Sequence, residues 1–146
     1  MVMTARVRHR ILAAALCACD VLWTALAAFG AYWFLNRFSA GVDWFNLPLG
    51  LWILSNVLAV VALGLALGLH AVVFSSVGFP EALRTLMASA VIGVGNLIFV
   101  TVVRIADIGI DVGYSVVIFY TLVLFIGLAG LRFSKRLFLA VEKQVV

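Results

Sequence analysis

At 146 residues the chain is 66% hydrophobic and only 11% charged, with a mean hydropathy of +1.26. Soluble domains are about half apolar and a quarter charged, so this composition excludes an ordinary soluble fold and describes one small integral membrane domain. The net charge of +4 does not point to nucleic acid, because the basic residues stand at the ends of apolar runs, where they act as orientation signals and contacts to anionic lipid.

The first apolar run, Ile11 to Asn36, follows a basic cluster of Arg6, Arg8 and Arg10 and ends at Arg37. About 20 apolar residues suffice to cross a hydrocarbon core of roughly 30 Å, so residues 11–36 read as a span. A cleaved signal peptide ending near Ala25-Leu26-Ala27 is the rival reading. Asp20 within the run, and its continuation through Tyr32, Trp33 and Phe34, argue against it. The three aromatics suit an interfacial belt at the far end. Cys17 and Cys19 point about 200° apart on a helix, so they neither close a disulfide nor clasp one metal, and they read as small packing residues.

A polar link over residues 37–46 leads to Pro48, whose missing N–H costs nothing in a first helical turn. The second span is expected over 47–69, with Trp44 and Trp52 bracketing its start and Gly64 and Gly68 forming a small-xxx-small pair. In the 70–84 link, Ser75, Ser76 and Gly78 break the helix, and Pro80-Glu81 restarts it. Val72, Val73, Phe74 and Phe79 are apolar enough to dip into the interface, and His70 reads as a boundary side chain. The third span is expected over 85–103, a short acidic link over 104–112, and the fourth span over 113–131. Beyond it, Arg132, Lys135 and Arg136 open a basic amphipathic tail, residues 132–146, read with Arg6, Arg8 and Arg10 as an anchor on anionic lipid.

The expected fold is therefore an all-α, four-helix transmembrane bundle. Outside the spans, eight Lys and Arg fall on the side of the two tails and the 70–84 link, against Arg37 and Arg104 on the other. That bias places both termini in the cytoplasm of a multi-pass protein of the cell inner membrane.

An ionisable group deep in a span is costly unless satisfied, and it is a functional candidate by default. Asp20 lies ten residues into the first span, about 15 Å at the helical rise per residue. Asn56 lies nine residues into the second and Asn96 eleven into the third, with Tyr120 and Thr121 slightly shallower in the fourth. The expectation is one interhelical polar layer of Asp20, Asn56 and Asn96, each bond contributing on the order of 1 kcal/mol. A proton or ion relay through Asp20 is the functional alternative. The absence of a second buried acid or of a buried base speaks against it. No metal pair, nucleophile elbow or Walker loop is present. Gly93-Val-Gly95 has the spacing of a dinucleotide loop but no preceding strand. No catalytic, cofactor-binding or metal residue is assigned, and no cofactor is expected.

Arg10 before a run carrying Asp20, followed by Ala31-Tyr32 and Arg37, resembles the opening of the CapD-like membrane-bound nucleoside-diphosphate-sugar epimerases and dehydratases of polysaccharide biosynthesis. Gly68-Leu69-His70, the Phe79–Leu83 segment, Tyr114-Ser115-Val116 through Tyr120, and Gly127 to Arg132 with Arg136 resemble later motifs of that family, with His70 and Tyr114 departing from its usual residues. Some monotopic sugar-phosphate transferases begin with a similar four-span bundle. The resemblance implies an anchoring domain whose chemistry belongs to a cytoplasmic NAD(P)-binding domain beginning soon after Arg136, whereas the chain stops at Val146. None of that domain's catalytic or cofactor residues has a counterpart here. The function so implied is non-catalytic anchoring, with a cytoplasmic sugar-modifying enzyme, glycan-assembly proteins or a second copy as partner. The alternatives are a small transporter or lipid-linked glycan flippase, and a subunit with a purely assembly role.

Overall fold

The computed structural model of the chain describes residues 5–37, 47–68, 79–107 and 112–145, with side chains described at all of these except 5, 6, 8, 9, 79 and 135–145. Four helices make up the described residues: α1 (Ala5–Asn36), α2 (Leu47–Ala66), α3 (Phe79–Ile105) and α4 (Tyr114–Val145). All four are long and apolar enough to cross a membrane, over Arg10–Asn36, Leu47–Ala66, Pro80–Ile105 and Tyr114–Ser134. Trp44, the apolar 70–78 stretch with His70, and Asp111 lie outside the described residues, as do the side chains of Arg6, Arg8, Lys135 and Arg136.

All four helices depart from their expected bounds, α1 by starting at Ala5, and for α2 and α3 the reason is local. α2 stops at Ala66 because Gly68 takes a left-handed conformation, φ 63°, and its N–H and that of Leu67 satisfy the carbonyls of Leu65 and Leu63. α3 starts at Phe79 because Pro80 fits a first turn and Glu81 complements the helix N-terminus. It ends where Asp107 adopts φ 51°, a left-handed position that Asp tolerates better than most side chains. α4 does not stop at the end of its span. It runs on as helix through the basic segment to Val145.

The bundle inverts the pattern of a soluble protein. Large apolar side chains point outward on every helix, among them Leu22, Leu26, Leu58, Ile98 and Ile126. The buried positions recur at helical spacing and include seven polar groups: Asp20, Thr24, Asn56, Thr85, Ser89, Asn96 and Arg132. Such a surface suits lipid, and in lipid close packing and interhelical hydrogen bonds hold helices together. Buried hydroxyls are returned to their own helices. Thr24 donates to the Asp20 carbonyl (2.6 Å) and Ser89 to that of Thr85 (3.0 Å).

The helices form a ring, each packed on its sequence neighbours and α1 also on α4, with α2 and α3 meeting most sparsely. α1 and α4 approach closely because Gly127 has no side chain. A Cβ there would overlap the Trp23 indole, whose Nε1 donates to the Val123 carbonyl at 3.2 Å. Gly93 gives α3 the same closeness to α4 at Thr121. Gly93 in Gly93-Val-Gly95 is thus a packing residue. Gly95 has open space at its Cβ position.

Candidate functional site

Two groups of polar side chains lie inside the bundle. The first joins α2 to α3. Asn56 and Asn96 face each other as reciprocal amides: Asn96 Nδ2 donates to Asn56 Oδ1 at 2.7 Å, and Asn56 Nδ2 donates to Asn96 Oδ1 at 3.2 Å. The remaining amide protons go to backbone carbonyls one turn back, Asn56 to Trp52 and Asn96 to Ile92. Asn96 Oδ1 also accepts from Trp52 Nε1 at 2.8 Å. Trp52 is only 1% exposed, so it is a core residue and not the interfacial bracket that the sequence reading assigned to it. Its ring meets Tyr120 of α4 edge to face, with centroids 5.4 Å apart.

The second group joins α1 to α4. Arg132 Nη2 donates to Asp20 Oδ2 at 3.1 Å, and both side chains are more than nine-tenths buried. Arg132 Nη1 donates to the Leu128 carbonyl at 2.9 Å, which turns the guanidinium back into the bundle. Arg132 therefore does not serve as an exposed lipid anchor. It is the buried base that the sequence reading judged absent. Arg10 is exposed, as an anchoring residue would be.

The expected layer of Asp20, Asn56 and Asn96 divides into these two groups at different depths. Tyr120 marks the level of the amide pair on α4, and Leu128, where the guanidinium turns back, is eight residues on. At 1.5 Å per residue that separation is about 12 Å. Counting depth from span ends misplaced Asn96, because the third span starts at Pro80 and not at Thr85, so Asn96 lies sixteen residues in against ten for Asp20.

The opposite end of the bundle is built from aromatic rings. Phe34 stacks on Phe119 with centroids 5.4 Å apart, and Arg37 sits 4.7 Å over the Phe34 ring. Arg104 likewise lies 4.6 Å over Tyr114, whose hydroxyl is 3.2 Å from that of Thr101. Both basic residues of that side are thus held on π faces. Cys17 is half-buried and Cys19 exposed.

Two buried polar atoms have no hydrogen-bond partner among the described residues, the Tyr120 hydroxyl and Arg132 Nε. Between the ends of α3 and α4, a cavity of about 220 Å³ is lined by Glu81, Ala82, Thr85, Phe125, Ala129, Arg132 and Phe133. Neither polar group has the make-up of a hydrolytic or metal centre: one is an amide pair, the other a carboxylate held by a guanidinium. Among the described residues no three His, Cys, Asp or Glu stand together. No known protein family, curated protein or solved structure matches this chain.

Proposed function

We propose that this chain is a non-catalytic membrane-anchoring bundle of surface-polysaccharide biosynthesis, of the kind that holds a nucleotide-sugar epimerase or dehydratase at the membrane. In this reading the face carrying eight Lys and Arg is cytoplasmic and the membrane is the inner one. The observation that carries the anchoring role is where the strong polar groups go. Asp20, Arg132, Asn56 and Asn96 are bonded from helix to helix, which fixes the faces that meet. Directly from the ion pair, α4 runs on as one helix through Lys135 and Arg136 to Val145, so a rigid extension leads from the clasped bundle to whatever it holds. The glycan context rests on the motifs around Asp20, Ala31-Tyr32, Phe79–Leu83 and Tyr114–Tyr120.

The partner in this reading is a cytoplasmic sugar-modifying enzyme, glycan-assembly proteins or a second copy, with anionic lipid under the basic residues. Pull-down of the tagged full chain from mildly solubilised membranes is expected to recover a sugar-modifying enzyme, and deletion of the chain to lower glycan output. Recovery of no such enzyme together with unchanged output contradicts the reading. The buried carboxylate–guanidinium pair is also what favours the second reading, a small transporter or lipid-linked glycan flippase. Asp20→Asn separates the two. Asn still accepts a hydrogen bond from Arg132 but no longer balances its charge, so an anchor loses stability yet keeps its glycan output wherever it stays folded, whereas a transporter that cycles charge at Asp20 loses activity in the folded protein.

A further inference from the structure

Arg104 stands at the end of the bundle opposite the Asp20–Arg132 pair. It is the second-last residue of the span in α3, and Tyr114 is the first of the span in α4. Both therefore lie where hydrocarbon gives way to lipid headgroups. Both are exposed, as are the large apolar residues Ile98, Val102 and Ile118 on the same stretches of the two helices. The pair thus opens on the surface that faces lipid.

The guanidinium is positioned before any ligand arrives. It lies 4.6 Å over the Tyr114 ring, and that ring is itself pinned. The Thr101 hydroxyl gives its one proton to the Leu97 carbonyl at 2.7 Å, so in the 3.2 Å contact between the two hydroxyls Tyr114 is the donor. That leaves Tyr114 no proton to offer a ligand. Arg104 is the free donor at this place. Its charge meets only the ring, and it has no carboxylate partner among the described residues. Asp107, one turn on, forms no ion pair with it. A guanidinium matches two oxygens of one phosphate, and a guanidinium already ordered on a ring loses little freedom when it binds. The lipid-facing setting makes a phospholipid the source of that phosphate. Asp107 offsets the pull on a net negative headgroup, so the phosphodiester itself is what this arginine selects.

We propose that Arg104, seated on Tyr114, binds the phosphodiester of a phospholipid at the headgroup level, with the acyl chains lying along Ile98, Val102 and Ile118. This binding depends only on the four-helix bundle standing in a bilayer. It is independent of the anchoring role and of the glycan pathway, so either can fail without the other.

The test is native mass spectrometry of the full chain, released from micelles doped equally with phosphatidylglycerol, phosphatidylcholine and a phosphate-free galactosyl diacylglycerol of the same chains. The unmodified chain is expected to hold one more phospholipid than Arg104→Gln, with the helical circular dichroism of the two alike. At that additional site the two phospholipids are expected to be retained equally, and each about tenfold over the galactolipid, the factor matching one charge-assisted contact. Tyr114→Phe keeps the ring but frees it from Thr101, and is expected to weaken retention about threefold. Inorganic phosphate is expected to displace nothing. The same number of retained phospholipids in Arg104→Gln, equal retention of the galactolipid, full retention in Tyr114→Phe, or displacement by inorganic phosphate would each overturn the proposal.

Discussion

The two polar contacts inside the bundle fasten different helices by different chemistry. Asn56 and Asn96 join helices that are close in sequence and otherwise sparsely packed, through neutral amides whose donors are all used. Asp20 and Arg132 join the first helix to the last, 112 positions apart, through an ion pair at the basic end. An amide pair loses less when one partner goes, since what remains is neutral. A buried ion pair leaves behind a charge, and removing one partner costs far more than the pair ever contributed. The contact between the sequence ends is therefore the brittle one, and the contact at mid-depth is the tolerant one.

The sharpest break in that comparison is Arg132→Leu. It removes the guanidinium that faces the buried Asp20 carboxylate and is expected to cost about 3–5 kcal/mol of unfolding free energy, read by denaturant titration in mixed micelles. Replacing both members, Asp20→Leu with Arg132→Met, is expected to recover most of that loss. Gly127→Ala comes next, at about 1–3 kcal/mol, because the new methyl displaces the Trp23 indole from its bond to Val123. That change loosens the same α1–α4 seam without touching charge, and it should leave the α2–α3 amides intact by hydrogen exchange. Asn96→Ala is expected to cost about 1–2 kcal/mol and more than Asn56→Ala, since Asn96 Oδ1 accepts from both Trp52 and Asn56. The smallest effect has the opposite sign. Tyr120→Phe removes a buried hydroxyl with no partner among the described residues and is expected to raise stability by up to about 1 kcal/mol in the same titration.

Much of this architecture is legible in the sequence because bilayer thickness imposes it. Length and hydropathy reveal all four spans, and Pro48 and Pro80 each stand in the first turn of a helix. The Asn56–Asn96 contact follows from two carboxamides at similar depth on neighbouring spans. Arg132 is harder to read, because an arginine at the end of an apolar run usually snorkels outward to the interface. A row of spacing does mark it. Val112, Val116, Tyr120, Leu124, Leu128 and Arg132 follow one another every four residues and are all buried, so Arg132 continues the inward-facing row of α4. Trp52 is misleading for a similar reason: indoles favour interfaces, but this one finds its hydrogen-bond acceptor inside the bundle. The cavity between α3 and α4 has no sequence signature, since residues 81–85 and 125–133 come together only through folding.

Asp20 forms one half of a clasp closed by Arg132. A double-mutant cycle of Asp20→Asn and Arg132→Gln, with unfolding free energies measured in one micelle composition, tests it directly. The clasp predicts a coupling of about 1–3 kcal/mol between the two changes. Losses that add to within about 0.5 kcal/mol would show two independent residues and contradict it.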